Sequence, residues 1–372
     1  MLKVGITGQA GFIGTHLFNY LSLRTNELIL IPFDDKYFQD NEKLRSWVVK
    51  CDVILHLAAI NRHDDQSVLY NTNIHLVNQL INVLEETDRK PHVIFSSSSQ
   101  ENRENKYGKS KKDGRNLFIK WAARNDAQFT GMIIPNVFGP FGNPYYNSVI
   151  ATFCHQLTHS KEPQIETDGN LKLIYVQELA KEIYKIITSG TGSDEYHVPH
   201  TSEKRVSEIL KILENFKVTY FEEGIIPELK DSFEVNLFNT FRSYFDLKSK
   251  YPVMLLKKTD ERGFFVELAK LEIGGQISFS HTKPGITRGN HFHTRKIERF
   301  TVIKGEALIR LRRIGDSEVQ DFYLSGDNPS YVDIPIWYTH NIANIGREEL
   351  LTIFWVNEFY NENDPDTFFE TV

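Results

Sequence analysis

Two groups of residues have types and spacings suited to chemistry. The first is Gly8, Gly11 and Gly14 in the run Ile6-Thr7-Gly8-Gln9-Ala10-Gly11-Phe12-Ile13-Gly14, with Tyr107 and Lys111 well downstream. The second is Gly285, His291, His293, Glu298 and Gly305, answered by His340. Glycines so placed suit a phosphate cradle, and a Tyr-x-x-x-Lys pair suits proton transfer beside it. Three imidazoles and a carboxylate suit a metal ion.

In the first group the glycines follow a strand-like run and open a helix. Gly8 permits the tight turn, Gly11 lets the backbone approach a pyrophosphate, and Gly14 lets the helix pack closely on a sheet. Phe12 and Ile13 lie in the first turn, where unpaired N–H groups meet the phosphates. His56-Leu57-Ala58-Ala59 ends the next buried run, and Leu57, Ala58 and Ala59 would make a small-residue floor under a dinucleotide. Tyr107 and Lys111 share one helix face, so the ammonium is expected to lower the phenol's pKa. A hydroxyl from the serine run Ser96–Ser99 would bind the substrate oxygen alongside. Asp34 ends the second strand-like run, about 20 residues past Gly14, where a carboxylate accepts the ribose hydroxyls of NAD and repels a 2′-phosphate. With Asp35 adjacent, a solvated turn acid is the competing reading, which leaves NAD and NADP both open.

In the second group, residues two apart on a strand point the same way, so His291 and His293 converge. Glu298 begins the next strand-like run, and His340 lies in the turn-bounded segment Pro335–Asn344. This donor set suits a divalent first-row metal, zinc included.

The elements that must position these residues divide the chain. At 372 residues it exceeds one usual core, so two domains are expected. Strand-like runs at Lys3–Thr7, Leu28–Phe33, Val53–Ala59, His92–Ser97 and Thr130–Pro135 alternate with helical segments Gly11–Leu23, Asn73–Thr87 and Ser110–Asn125. That alternation predicts a doubly wound parallel sheet covered on both faces. From about Tyr251 the runs become short and β-rich, at Gly275–Ser280, Arg299–Val302, Ala307–Arg312, Tyr331–Ile334 and Leu350–Val356, which predicts an antiparallel sandwich or barrel. The junction is placed at Asp246–Pro252, giving domains 1–245 and 250–372.

A net charge of −6, spread without blocks, argues against nucleic acid or an anionic membrane as partner. Cys51 and Cys154 are too few and too far apart for a disulfide framework. The start, Met1-Leu2-Lys3-Val4, lacks a signal-peptide pattern, and no run approaches the roughly 18 apolar residues of a membrane span. A soluble cytoplasmic protein is expected.

Over roughly residues 1 to 240 these motifs resemble an extended short-chain dehydrogenase/reductase of the sugar-nucleotide epimerase/dehydratase type. The likeness includes Asn73, in the helix after the fourth strand, and Pro135-Asn136-Val137-Phe138-Gly139 after the sixth. It implies that Tyr107 is the acid/base and that Lys111 orients the nicotinamide ribose and tunes Tyr107. Ser98 is the best fit for the substrate-binding hydroxyl, with Ser97 a close rival, and Asn136, Asn147 and Ser148 would face a nucleotide-sugar. Three departures stand out: only eight residues separate Ser98 from Tyr107, residues 35–51 are short for the usual third strand, and Tyr175-Val176-Gln177-Glu178 replaces a Tyr-Val-Asp-Asp-like turn.

Over roughly residues 250 to 372 the histidine pattern resembles the cupin family, departing where glycine is customary, at Trp337. Asp260 to Glu267 resembles the opening of sugar-nucleotide 3,5-epimerase cupins, where Arg262 would pair with a diphosphate or form a plain salt bridge. The order reductase-like domain, then metal cupin, resembles bifunctional enzymes making UDP-N-acetyl-L-fucosamine precursors for capsule and O-antigen. The likeness runs through Pro365-Asp366-Thr367. It implies C3 epimerisation of a UDP-4-keto-6-deoxy-N-acetylhexosamine by the cupin. NADPH-dependent reduction at C4, with NADH possible given Asp34, would then yield UDP-2-acetamido-2,6-dideoxy-L-talose. Candidates for the epimerisation base are Tyr338, His281 and Lys283. A 4-epimerase or 4,6-dehydratase with a structural cupin is the competing reading. Cupins often pair through their sheets, so a homodimer is expected under either.

Overall fold

All the residues of Val53–His56, His92–Ser98 and Phe129–Ile134 are buried, as strands covered on both faces require. The computed structural model describes residues 1–261 and 263–372, without the side chains of 263–265, so Arg262 lies outside the described residues. In chain order the first elements are β1 (Leu2–Thr7), α1 (Phe12–Ser22), β2 (Leu28–Ile31), α2 (Asn41–Val48) and β3 (Val53–His56). There follow α3 (Gln66–Glu86), β4 (His92–Ser98), α4 (Lys106–Asn125), β5 (Phe129–Ile134) and β6 (Asn136–Phe138). Then come α5 (Val149–Thr158), β7 (Asn170–Tyr175), α6 (Val176–Ser189), β8 (Ser193–His197), β9 (Ser202–Arg205) and α7 (Val206–Phe216).

A six-stranded sheet runs β2-β1-β3-β4-β5-β8 with every pairing parallel. One core packs Leu17, Leu21, Ile183 and Ile187 against it, and another packs Leu80, Leu84, Phe118 and Trp121. Burial of side chains this large stabilises by roughly 1.5–3 kcal/mol each. A smaller sheet, β6-β7-β9, lies beside it in the chain order.

Two boundaries move towards capping residues. Asp65 accepts hydrogen bonds from Ser67 N and Val68 N at 2.7 and 3.4 Å, which starts α3 well before Asn73. Asn105 accepts from Gly108 N at 2.6 Å, so α4 begins at Lys106 and Tyr107 sits in its first turn. Residues 35–51 form a 3₁₀ turn and α2 and no strand. The strand count therefore shifts by one: Asn73 follows the third strand, and Pro135–Gly139 follows the fifth.

The remaining elements are α8 (Ser232–Arg242), α9 (Leu247–Lys250), β10 (Val253–Met254), β11 (Lys257–Asp260), β12 (Gly263–Val266), β13 (Gln276–Thr282) and β14 (Thr287–Phe292). They continue with β15 (Glu298–Lys304), β16 (Glu306–Arg313), β17 (Val319–Ser325), β18 (Ser330–Ile334), β19 (Tyr338–Asn344), β20 (Leu350–Val356) and β21 (Phe368–Phe369). Two five-stranded sheets result, β10-β18-β15-β20-β13 and β17-β16-β19-β14-β21, both antiparallel.

By packing, one compact unit holds residues 1–152 and 164–209 and the other holds 153–163 and 210–372. The expected junction at Asp246–Pro252 lies where helix gives way to strand, inside the second of these units. A buried ionic cluster explains why 210–250 goes with the strands. Arg299 grips Asp333 through two bonds at 2.7 and 2.9 Å, and Tyr220 donates to the same carboxylate at 2.6 Å. Arg242 on α8 donates to Ile334 O at 2.9 Å. A charge this deep is tolerable only when paired, which fastens the helical segment to β15 and β18. Among the described residues no helix is long and apolar enough to cross a membrane, and Cys51 and Cys154 are buried and unpaired.

Candidate functional site

The glycine turn joins β1 to α1. Gly8 has φ +68°, and a Cβ there would lie 2.8 Å from Ala58 N, so only glycine lets the turn sit against the end of β3. A Cβ on Gly14 would lie 2.2 Å from Gly8 O, which fixes how closely α1 folds over the turn. Gly11 is the N-cap of α1 without a side-chain cap, and the first turn, containing Phe12 and Ile13, carries no acid. The helix N-terminus thus keeps its N–H groups and partial positive charge for an anion. Leu57, Ala58 and Ala59 lie just past β3, which stops at His56, and Ala58 N donates to Thr7 Oγ1 at 3.3 Å. Asp34 is exposed and accepts from Lys36 N at 2.9 Å, capping the 3₁₀ turn with one of its oxygens.

Ser98 ends β4, and Tyr107 and Lys111 stand one turn apart on α4. The two serines separate by partner. Ser97 donates to Glu101, while Ser98 accepts from Gln100 N at 3.2 Å and acts on the Tyr107 phenol. Burial pushes the Tyr107 phenol up to about 12; Ser98 works against this and the nearby Tyr146 adds to it. The expected lowering of this phenol by Lys111 is not what the structure shows. Lys111 is buried, donates to Ser96 O at 2.9 Å, and lies 5.8 Å from the centre of the Tyr107 ring. Burial also pulls its ammonium down to about 8, against the Glu101 carboxylate that raises it.

Three supports hold this site together, and only the first, Asn73, belongs to the family likeness. Asn73 accepts from Ile60 N at 2.8 Å and donates to Ser110 Oγ at 3.0 Å, tying α3 to α4. Glu101 forms a buried two-bond pair with Arg115 at 2.9 and 2.7 Å, pinning the short segment between Ser98 and Tyr107 to α4. Tyr146 accepts from Asn61 N at 3.3 Å, and Arg62 donates to Tyr145 O at 2.7 Å, which joins the loop after β3 to the loop before α5. Asn136 spends its amide on Lys172 O at 3.1 Å, and Ser148 accepts from Ala151 N at 3.2 Å in the first turn of α5. Asn147 is exposed. Tyr175 N donates to Glu178 at 3.2 Å, so the departing Tyr-Val-Gln-Glu run still opens α6.

In the second unit His291, His293, Glu298 and His340 converge, with one donor atom from each lying within 4.8 Å of the others. His291 and His340 face each other across β14 and β19, and a bulge at Asn290, φ +61°, re-aims His291 at that register. His293 lies just beyond β14, and Glu298 opens β15 in the opposite sheet. His340, in the segment expected to be bounded by turns, is fully buried inside β19. Trp337 also takes φ +61° although it is not glycine, so the turn keeps the left-handed backbone. Burial of the indole and its stacking on Phe292 at 5.4 Å offset the strain.

The donor atoms fit a cation. Nε2 of His293 and of His340 lie 3.0 and 3.4 Å from Oε2 of Glu298, yet none of these three buried atoms has an aligned hydrogen-bond partner. Such orphaned atoms are costly unless something charged satisfies them. Burial, with His340 and His293 close by, holds His291 down at about 4 and therefore neutral, as a ligand must be. Burial would raise Glu298, but His293 and His340 outweigh it and hold the carboxyl well below the ordinary carboxylate range. Of the candidate bases, His281 is paired with Glu349 at 2.9 Å. Tyr338 lies two residues before His340 on β19 and so shares its face.

A Rossmann-type doubly wound sheet followed by an all-β cupin-like unit defines the class. The chain belongs to the NAD dependent epimerase/dehydratase family, matched over residues 4–198, and residues 258–368 match the polysaccharide biosynthesis C-terminal domain. It is 34% identical to the capsular polysaccharide assembling protein CapF from Staphylococcus aureus, with all of both chains covered and a TM-score of 0.63. It is 29% identical to a UDP-2-acetamido-2,6-beta-L-arabino-hexul-4-ose reductase of Pseudomonas aeruginosa, over 99% of this chain and 98% of the relative. It is also 30% identical to the spore coat polysaccharide biosynthesis protein SpsL of Bacillus subtilis, over 30% of this chain and 81% of the relative.

Proposed function

We propose that this chain is a bifunctional UDP-sugar enzyme of capsule or O-antigen precursor synthesis. Its first unit reduces the C4 ketone of a UDP-4-keto-6-deoxy-N-acetylhexosamine, and its second unit epimerises the neighbouring C3. The product is UDP-2-acetamido-2,6-dideoxy-L-talose. The observation that carries this reading is the Ser98–Tyr107–Lys111 arrangement beside the glycine turn, in a chain that also gathers three imidazoles and a carboxylate. The name of the full-length Pseudomonas aeruginosa relative, a hexul-4-ose reductase, supports a C4 ketone as substrate.

In the reduction, Ser98 holds the ketone oxygen and Tyr107 gives it a proton. Raised to about 12, the phenol is protonated at neutral pH, the form a reduction requires. Lys111, anchored on Ser96 O, faces the nicotinamide ribose. A nicotinamide cofactor, NADPH or NADH, held by Gly8, Gly11, Phe12, Ile13, Gly14 and the Leu57–Ala59 floor, supplies the hydride. Asn136, Asn147 and Ser148 are the proposed contacts of the nucleotide-sugar here, and Arg262 is the proposed partner of its diphosphate in the second unit.

At the second site a divalent cation held by His291, His293, Glu298 and His340, zinc by donor type, supplies Lewis-acid chemistry at the ketone. Tyr338, on the face of His340, is the best placed of the candidate bases for the C3 proton. The chain pairs with a second copy through the cupin-like unit. In support, the edge strand β13 exposes Ile277 and Phe279 at 66% and 75%.

The test is NADPH oxidation with the UDP-4-keto-6-deoxy-N-acetylhexosamine in D₂O, with products read by NMR. Consumption of NADPH together with deuterium at C3 is expected. Turnover without net NADPH loss would instead favour a 4-epimerase or 4,6-dehydratase that keeps its cofactor.

A further inference from the structure

His293 is the ligand whose surroundings are most elaborated, and the elaboration comes from the C-terminal segment. Nδ1 of His293 lies 2.5 Å from the carbonyl oxygen of Asp366. A carbonyl only accepts, so Nδ1 carries a hydrogen, which leaves Nε2, 3.0 Å from Glu298 Oε2, as the nitrogen available to a metal. The Asp366 carboxylate meanwhile gathers the turn that leaves His293. It accepts from Thr294 N at 3.1 and 3.2 Å, from Arg295 N at 3.0 Å, from Lys296 N at 3.1 Å and from Thr294 Oγ1 at 2.6 Å.

Asp366 is 3% exposed and takes φ +39°, a left-handed conformation that Asp and Asn tolerate better than most residues. A buried carboxylate facing three backbone N–H groups is a strong, directional anchor. The same segment reaches His291, because β21 pairs with β14 at His291–Phe369 and Phe292–Phe368. It also meets β19, where Thr339 donates to Glu370 O. Two of the histidine-bearing segments are therefore braced by residues far away in sequence.

We propose that Asp366 is a positioning residue for the metal centre: its carbonyl orients the His293 ring and its carboxylate anchors residues 294–296, so the C-terminal segment steadies the ligand set from outside it. This rests on the reading of the four residues as a metal site. Without the anchor residues 294–296 are no longer held against the Asp366 carbonyl that orients the His293 ring, and the site loses one prepaid orientation. Loss of such outer support typically weakens metal binding about 10–100-fold.

The test is zinc affinity of the full-length protein by competition with a chromophoric chelator. Its companion is the melting temperature of zinc-loaded and chelator-stripped protein. Asp366→Asn keeps the size and the left-handed tolerance but removes the charge, and Asp366→Ala removes the anchor. Zinc binding weakened about 10–100-fold is expected, graded from Asn to Ala, with a smaller zinc-induced rise in melting temperature. Arg295→Gln is the control. It removes the side-chain bonds to Glu358 and Asp364, which loosens the same segment while leaving the Asp366 bonds in place. Unchanged affinity in both Asp366 variants, or equal weakening in Arg295→Gln, would overturn the proposal. A wild-type protein that binds no zinc would overturn the metal reading itself, and the positioning role with it.

Discussion

The two candidate sites differ in how far the protein satisfies its own polar groups. In the first unit most functional atoms have a protein partner: Lys111 on Ser96 O, Ser98 on Gln100 N, Ser97 on Glu101, and Glu101 on Arg115. In the second unit the central atoms of His293, Glu298 and His340 are buried, close together and without aligned partners. Ligands of the first site would bind by exchanging hydrogen bonds along strand ends and a helix N-terminus. The second site instead holds atoms whose burial is costly until a cation satisfies them.

The largest expected effect separates the sites by chemistry. Tyr107→Phe removes the proton donor, and ketone reduction should fall by about 10²–10⁴-fold. NADPH oxidation kinetics check this, and near-normal turnover would break the assignment. Next, His291→Ala should cost the second unit its metal, read as zinc per chain after dialysis. A fully metallated variant would show that the orphaned atoms do not need His291.

A smaller effect probes the internal pairing of the first site. Glu101 faces Lys111 and favours its ammonium. The other groups near Lys111 are His56, held neutral by burial with a pKa of about 3, the Phe95 ring and Tyr107. Arg115 and Ser97 face Glu101, and Glu195 lies 3.5 Å from Arg115. Glu101→Gln should let the Lys111 pKa fall below about 8 and move the alkaline limb of the reduction profile to lower pH. A kcat/KM profile against pH reads this, and an unmoved limb would contradict the coupling.

The smallest effect concerns stability. Burial depresses His56 to about 3 and His92 to about 4, whereas unfolded histidine titrates near about 6.5. Between those values the unfolded chain binds protons that the folded chain does not, so stability should decline as pH falls from about 6.5. Urea melts of wild type and His56→Gln at pH 7 and pH 5 should show a shallower decline in the variant. Equal declines would assign the acid sensitivity elsewhere.

Which parts were legible follows from the same contrast. The first site was readable because its residues sit at fixed offsets on one turn and one helix, and apolar runs such as His92–Ser97 mark the strands beneath them. What decided between Ser97 and Ser98 was Glu101, a contact that spacing does not encode. In the second unit β15, β16, β18 and β20 announced themselves by β-branched residues. The strands β14 and β19 did not, because His291, His340, Asn341 and Asn344 put polar groups where strands usually bury apolar ones. The four converging side chains were legible as a pattern. The supports of His293 were not, since Asp366 acts across more than seventy residues of chain.

The most direct test of the two-site account is C3 deuterium incorporation, measured by NMR in D₂O alongside NADPH oxidation, for Tyr107→Phe and His291→Ala in parallel. The account predicts deuterium at C3 without NADPH oxidation in Tyr107→Phe, and loss of deuterium incorporation in His291→Ala. Loss of C3 exchange in Tyr107→Phe together with wild-type exchange in His291→Ala would contradict it, placing both steps in the first unit.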